Sequence, residues 1–281
     1  MNSIIIARFG KLGYQIFSYM LAHVLCQESR NSKIYAQNRD FLSMFNFKLN
    51  YKVSKNPHIV IDKKEIVTRE KIEQIAKELE INNEQFLDVL ISNVTCNIKL
   101  YEEYFVELKE LFQNTVETPV VGEDKLLINL NYRDEILNLA PYHTDYIQPP
   151  LSFYKQIVET TGLLPVFSGI FPRTKEFIDN LNKGFPGAEY IDPNPSANYE
   201  FELIRRAKNK AISVSTFSYL AAYFGEADTK IHMPLYGFIN PEQRPDVDLI
   251  PTDTSRFVVY DNFPVKKLNK TAAQVSEMLL L

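Results

Sequence analysis

The chain has 281 residues, of which 45% are hydrophobic and 23% charged, and its formal net charge is −4. A chain of this length and composition can bury one or two substantial cores. The acidic balance argues against a dedicated nucleic-acid-binding protein, which needs a basic surface. Cys26 and Cys96 lack metal-type spacing, so we expect buried thiols rather than a metal site or a disulfide. We find neither a signal peptide nor an apolar run long enough for a membrane span, and therefore expect a cytoplasmic protein.

The first half of the sequence alternates between strand and helix patterns. The expected elements are strands at 3–7, 58–62 and 94–100, and helices that begin at Tyr14 and cover 68–90 and 101–112. The apolar residues of these helices recur every three or four positions, which is typical of amphipathic helices. The stretch 115–123, with its proline and glycine, is expected to be a linker.

The second half repeats this alternation. The expected elements are strands at 126–130, 165–168, 211–214 and 230–233, and helices that begin near Ser152, Thr174, Tyr199 and Phe217. Regular alternation predicts an α/β protein with two doubly wound, Rossmann-like domains. We place the domains at residues 1–118 and 119–281, with a C-terminal helix that could pack back on the first. Ligands of such folds bind at the carboxyl ends of the strands, so we expect a site in a cleft between the domains.

A glycine-containing turn follows the first strand. Residues 10–17 read Gly-Lys-Leu-Gly-Tyr-Gln-Ile-Phe, so Gly10 and Gly13 lie where strand gives way to helix. Glycine at such a turn lets the backbone approach a ligand or adopt a positive φ. The spacing matches neither the P-loop nor the dinucleotide fingerprint. By itself this motif indicates only a strand-turn-helix unit.

A second motif begins a late helix. Residues 212–224 read Ile-Ser-Val-Ser-Thr-Phe-Ser-Tyr-Leu-Ala-Ala-Tyr-Phe. The apolar run places Ser215 and Thr216 at the helix start, where hydroxyls and unpaired N–H groups can bind an anion such as phosphate. An ordinary N-cap on a buried helix is the alternative interpretation.

Together the two motifs resemble those of the α-1,2-fucosyltransferases and the wider fucosyltransferase superfamily. That family has Gly-x-Leu-Gly-Asn-Gln-x-Phe near its N-terminus and Ser-Asn-Ser-Thr-Phe-Ser-Trp-Trp-Ala-Ala-Tyr late in its donor domain. Both spacings are unbroken here and come in the same order. The resemblance implies a two-domain GT-B fold and inverting transfer of fucose from GDP-fucose to a glycan hydroxyl. It also implies donor-site roles for Gly10, Gly13, Gln15, Ser215, Thr216 and Phe217.

The middle of the chain departs from the family pattern. Residues 128–134 read Ile-Asn-Leu-Asn-Tyr-Arg-Asp where the family has His-x-Arg-Arg-x-Asp. Asn129 replaces the histidine, Asn131 and Tyr132 replace the arginines, and Arg133 comes one residue late. We expect Asn129 and Asn131 to contact the donor, and Arg133 to neutralise its diphosphate with a planar, permanent charge.

The next strand carries another departure. Residues 168–170 read Ser-Gly-Ile where the family has Ser-Asp-Asp. Ser168 and Gly169 are therefore expected at the donor site, while both carboxylates are missing.

Inverting transfer needs a base for the acceptor hydroxyl. Asp134 and His143 are the candidates, because they lie in the central loop and His143 could titrate near neutrality. Asp134 is equally well interpreted as an N-cap or as a partner of Arg133, and His143 as a surface residue.

No cofactor and no metal are expected, in line with the family resemblance. The Asp-x-Asp pair, Asp246 and Asp248, is best interpreted as part of a solvated loop. Arg205 and Arg206 are interpreted as solvated cations at a helix C-terminus, and Glu200 as an ordinary first-turn carboxylate.

The expected partners are a nucleotide-sugar donor and a glycan acceptor, with peripheral membrane contact if the acceptor is lipid-linked. Two alternatives stay open for the donor site: a different UDP- or GDP-sugar, or a homologue that binds nucleotide or glycan without turnover. A two-domain solute-binding protein is disfavoured because no signal peptide is apparent.

Overall fold

A computed structural model describes residues 1–7, 10–37, 44–45, 49–62, 66–81, 86–113, 116–133, 145–191, 195–263 and 271–279. The chain divides into two compact units. The first comprises Met1–Asn114 with Asp248–Pro251, and the second comprises Thr115–Val247 with Thr252–Leu281. The domain boundary placed between residues 118 and 119 stays a prediction.

The first unit is built on a parallel sheet. Its elements are β1 (Asn2–Ile6), α1 (Leu12–Ser29), β2 (Ser32–Ala36), β3 (Asn50–Tyr51), β4 (Ile59–Ile61), α2 (Arg69–Ile81), β5 (Asp88–Ile91), β6 (Cys96–Asn97), a 3₁₀-helix (Ile98–Tyr104) and α3 (Phe105–Leu111). Five strands form the sheet in the order β3-β2-β1-β5-β4. Every residue of β1 is buried, because a central strand of a parallel sheet is covered on both faces.

Two of the secondary-structure predictions for this unit are wrong. The helix expected over 68–90 ends at Ile81, and Asp88–Ile91 is the strand β5, which pairs with both β1 and β4. A short apolar run cannot be assigned to helix or strand from its periodicity alone. The strand expected at 94–100 is mostly a 3₁₀-helix, in which Ile98 and Tyr101 are both buried. Their three-residue spacing puts both side chains on one face of such a helix.

The second unit has the larger sheet. Its elements are β7 (Lys125–Asn131), α4 (Leu151–Thr161), β8 (Leu164–Ile170), α5 (Lys175–Gly184), β9 (Glu189–Tyr190), α6 (Ala197–Arg206), β10 (Asn209–Ala211), α7 (Thr216–Tyr223), β11 (Lys230–Pro234), a 3₁₀-helix (Gly237–Ile239), β12 (Val247–Asp248, which spans the division between the units), β13 (Phe257–Tyr260) and α8 (Ala272–Met278). The strand expected at 211–214 lies two to three residues earlier, as β10.

The strand order of this sheet locates its ligand-binding edge. The six strands run β9-β8-β7-β10-β11-β13 and each described pairing is parallel. In chain order this is 3-2-1-4-5-6, the Rossmann arrangement, whose topological switch point lies between the first and fourth strands, β7 and β10. The predicted fold class, an α/β protein with doubly wound parallel sheets, is confirmed. Ligands of this fold bind beyond the carboxyl ends of the strands at the switch point.

Both cysteines are free thiols, with Cys96 buried and Cys26 partly buried. Burial raises the pKa of the Cys26 thiol to about 12, so it is a poor nucleophile at neutral pH. Among the helices of the described residues, none has the length and apolar character needed to cross a membrane.

Candidate functional site

The carboxyl end of β7 lies at the switch point, and its residues alternate between the two faces of the sheet. Asn129 and Asn131 are two residues apart and therefore share one face, while Leu130 lies on the other. The asparagines are only 2% and 5% exposed. The strand was expected to end at Leu130 and ends one residue later, at Asn131, so both asparagines lie within β7.

Asn129 is the centre of a buried polar network. Its Nδ2 donates to Oγ of Ser168 over 3.2 Å and to Oε1 of Glu200 over 2.7 Å. Its Oδ1 accepts from the hydroxyls of Ser213, at 3.3 Å, and Ser218, at 2.6 Å. An amide can donate two hydrogen bonds and accept two, so the side chain is fully used within the protein. The network connects β7 to β8, to α6 and to the start of α7.

Glu200 is the site residue that the sequence analysis missed. It lies in the first turn of α6, as expected, but its carboxylate is held by Asn129 instead of facing only solvent. Burial raises the pKa of the Glu200 carboxyl, and the Asn129 hydrogen bond and the Arg133 charge partly offset that increase. No signal in the sequence around Glu200 distinguishes it from an ordinary helix-start carboxylate.

Arg133 lies on the same face as the two asparagines. Its Nε donates to Oδ1 of Asn131 over 2.8 Å, and its positive charge acts to lower the pKa of the Glu200 carboxyl. Arg133 as a whole is partly buried. Because side chains alternate along an extended chain, a cation at position 133 lies on the face of β7 that carries the polar network, whereas position 132 lies on the other face.

Tyr132 points to the opposite face of the sheet. It is 1% exposed, and its hydroxyl lies 2.7 Å from the carbonyl oxygen of Pro149 and 3.2 Å from that of Met278 in α8. The residue that stands in place of the family's second arginine is thus part of the core of the second unit.

Ser168 and Gly169 lie within β8, beside Asn129 and Leu130 of β7. The strand was expected to end at Ser168 and ends two residues later, at Ile170. Gly169 has a φ of +93°, and a Cβ at this position would lie 2.2 Å from the carbonyl oxygen of Leu130. Glycine is needed here for close packing of the two strands.

The start of α7 adds a helix N-terminus to this edge. Ser215 is the N-cap, and its hydroxyl accepts from the N–H of Ser218 over 3.4 Å. Ser215 and Thr216 are 8% and 5% exposed, and the Phe217 ring lies 5.5 Å from that of Phe201. The preceding loop is fixed by Gln148, whose amide makes two 3.1 Å hydrogen bonds to the backbone of Val214.

The remaining donor-site candidates lie in the first unit. Gly10 has a φ of +70°, and its carbonyl oxygen accepts from Nε2 of Gln15 over 3.3 Å. Gly13 is buried in the first turn of α1, which begins two residues before the expected Tyr14. The Gln15 side chain thus reaches back from the first turn of α1 to Gly10.

The proposed bases, Asp134 and His143, lie outside the described residues. The Asp-x-Asp pair is ion-paired: Asp246 with Arg244 at 2.6 Å and Asp248 with Lys99 at 2.8 Å. Within the part of the chain that the structure describes, no group of three His, Cys, Asp or Glu residues is arranged to hold a metal ion.

The interpretation of Arg205 as a solvated cation is wrong. The side chain is buried and its guanidinium donates to both carboxylate oxygens of Glu202, at 2.8 and 2.7 Å, and to Glu226 at 3.1 Å. The neighbouring Arg206 is exposed, as expected. Arg205 therefore stabilises α6 rather than serving a phosphate.

No protein-family model and no curated protein matches the chain. Solved structures do. E. coli heptosyltransferase WaaC with ADP is 11% identical, with 98% of both chains covered and a TM-score of 0.50. E. coli ADP-heptose lps heptosyltransferase II is 11% identical over 99% of this chain and 97% of its own, with a TM-score of 0.46. A mutant of Arabidopsis thaliana FUT1 in complex with GDP is 10% identical over 82% of this chain and 70% of its own, with a TM-score of 0.49. The likeness to WaaC, together with the parallel sheet of each unit, shows a fold of the GT-B type.

Proposed function

We propose that the chain is an inverting glycosyltransferase, which moves a sugar from a nucleotide-sugar donor to a hydroxyl of a glycan acceptor. One observation carries the proposal: Arg133 and the buried Asn131 lie beside a fixed polar network at the switch point of a Rossmann unit. The fold likeness to WaaC, whose structure contains ADP, supports it. The two motifs shared with the fucosyltransferases support it independently.

The geometry suits stabilisation of the leaving nucleotide. As the bond between sugar and phosphate breaks, negative charge grows on the diphosphate. Arg133 brings a permanent positive charge, and the first-turn N–H groups of α7 bring the positive end of a helix dipole to the same edge. Because Asn129 holds Ser218 of that first turn and Glu200 beside Arg133, these groups are positioned before the reaction starts.

We propose fucose from GDP-fucose as the donated sugar, on the strength of the motif resemblance. Another nucleotide-sugar is the second candidate, because Asn131 and Tyr132 stand where that resemblance places two arginines. Asp134 and His143 remain the candidates for the base. We further propose that the reaction runs in the cytoplasm without a cofactor or an obligatory metal, with peripheral membrane contact if the glycan acceptor is lipid-linked.

A thermal-shift panel of GDP, UDP, ADP, CMP and their sugars, in the absence of metal, tests the donor. A ligand that binds only the folded state at a hundredfold excess over its Kd stabilises it by about 2.7 kcal/mol. Stabilisation by GDP and GDP-fucose supports the fucosyltransferase assignment. Stabilisation by another nucleotide alone would mean that the donor is a sugar of that nucleotide. The absence of a shift with every nucleotide would contradict the proposal.

The role of Arg133 is tested by Arg133→Ala. We expect the variant to fold, since the side chain is partly exposed, and to lose most nucleotide binding and donor turnover. Arg206→Ala, which removes an exposed arginine of the same unit, is the matched control. Unchanged turnover in Arg133→Ala would mean that this guanidinium does not meet the diphosphate.

A further inference from the structure

One donor at the switch point is left over after the network is complete. Nδ2 of Asn131 is buried and has no hydrogen-bond partner among the described residues. A buried donor without a partner is unfavourable, because it has lost its hydrogen bonds to water and gained none in the protein. The contrast with Asn129, two residues earlier on the same face, is direct: that amide uses all of its hydrogen-bonding capacity.

The other end of the same amide fixes Arg133. Oδ1 of Asn131 accepts from Nε over 2.8 Å, which leaves both terminal nitrogens of the guanidinium without a partner in the described part of the chain. Because the guanidinium is planar, holding Nε fixes the direction of the whole fork. The Glu200 carboxylate, itself held by Asn129, balances the positive charge from one side.

We infer that Asn131 and Arg133 form one composite anion-binding unit, in which Asn131 both donates from Nδ2 to a phosphate oxygen and positions the Arg133 guanidinium for the same group. The inference rests on the proposed function for the identity of the ligand, a nucleoside diphosphate. The amide then supplies a directed hydrogen-bond donor, and the guanidinium supplies a permanent positive charge. Asn131 acts on the ligand directly and also through Arg133.

A double-mutant cycle separates the two roles. The variants are Asn131→Leu, which removes both ends of the amide at similar volume, and Arg133→Lys, which keeps the charge but has no Nε for Asn131 to hold. Binding is measured by calorimetry with inorganic pyrophosphate as the probe, and then with the nucleotide that the thermal-shift panel identifies. Asn182→Ala, at an exposed position of α5, is the control and is expected to bind like the wild type.

We expect Asn131→Leu to weaken pyrophosphate binding at least about tenfold in the wild-type background. In the Arg133→Lys background it should still weaken binding, but by a smaller factor, because the positioning role is already lost. No effect in that background overturns the direct contact. Equal effects in both backgrounds overturn the positioning role. Should the leucine variant fail to fold, Asn131→Ser serves in its place.

The probe keeps this inference distinct from the proposed function. If pyrophosphate binds with the expected pattern and no nucleotide binds, only the glycosyltransferase proposal fails. If a nucleotide binds and the Asn131 variants bind it as tightly as the wild type, only the composite unit fails. If the wild type binds neither pyrophosphate nor any nucleotide, both fail.

Discussion

The amide of Asn129 donates to the carboxylate of Glu200 over 2.7 Å, although 71 residues separate them in the sequence. This bond ties the first turn of α6 to the carboxyl end of β7, at the switch point of the sheet. Because the other three hydrogen-bonding positions of the amide are also taken, direct contact of Asn129 with a donor would break one of these bonds. The arrangement favours a positioning role for Asn129, which agrees with our proposal that Asn131 and Arg133 contact the ligand.

Replacing Asn129 with leucine tests the network. We expect Asn129→Leu to lower the free energy of unfolding by about 2–4 kcal/mol, because the buried polar groups that surround Asn129 lose their shared partner. Urea unfolding measures the change. Asn182→Ala is the control, since that side chain is exposed, accepts a hydrogen bond from Tyr190 and should change stability by about 0.5 kcal/mol or less when replaced. Equal effects of the two substitutions would show that the network contributes little to stability.

Gly169→Ala should destabilise the protein strongly. A Cβ would lie 2.2 Å from the Leu130 carbonyl oxygen, and the φ of +93° is unfavourable for any L side chain. We expect a loss of about 3 kcal/mol or more of stability, measured as a lowered unfolding midpoint.

Gly162→Ala is the matched control for this substitution. Gly162 also has a positive φ, +69°, but nothing lies within 4 Å of an added Cβ, so only the backbone strain of about 1 kcal/mol should appear. If both variants lose the same stability, contact between β8 and β7 is not what requires glycine at position 169.

Much of this edge of the sheet is predictable from the sequence, because its signals are local. The apolar runs of β7 and β8, the glycine at 169 and the Ser-Thr start of α7 each indicate a strand end or a helix start. Their convergence follows from the doubly wound fold, which brings strand ends to one edge.

The rest depends on contacts distant in sequence. Glu200 has the local features of any first-turn carboxylate, and its role comes from Asn129 on another element. In the sequence, Arg205 has the features of a solvated cation at a helix end. In the structure it is buried and forms ion pairs with Glu202 and Glu226. The strand Asp88–Ile91 is too short for its periodicity to distinguish it from helix, and its pairing with β1 and β4 decides its conformation.

The Arg205 ion pair gives a third prediction. Arg205→Leu should lower the free energy of unfolding by about 3–5 kcal/mol, because it leaves the carboxylate of Glu202, which is 3% exposed, buried without its partner. Arg206→Leu changes the adjacent, exposed arginine of the same helix and should have little effect. Comparable losses in the two variants, measured by urea unfolding, would contradict a specific role for the buried pair.

Lys210 lies on β10 and is 1% exposed. Its Nζ donates to the carbonyl oxygen of Arg205 over 3.2 Å. Burial, and after it the nearby cations Arg256, Arg205 and Lys208, lower the pKa of the Lys210 ammonium to about 7, while Glu226 acts in the opposite direction. Below that pKa the folded protein therefore holds a buried positive charge close to three others.

The stability of the protein should depend on pH through this lysine. The unfolded state binds the proton more tightly than the folded state, so the free energy of unfolding should rise with pH from about 7 to the ordinary lysine pKa of about 10.4, by a few kcal/mol. Lys210→Met removes the charge at all pH values. We expect the variant to be more stable than the wild type at pH 6, and this advantage to shrink as the pH rises through 7 to 10. Urea unfolding of both proteins across this range measures the difference, in which the other titrating groups largely cancel. A difference that does not change with pH would mean that Lys210 titrates alike in both states.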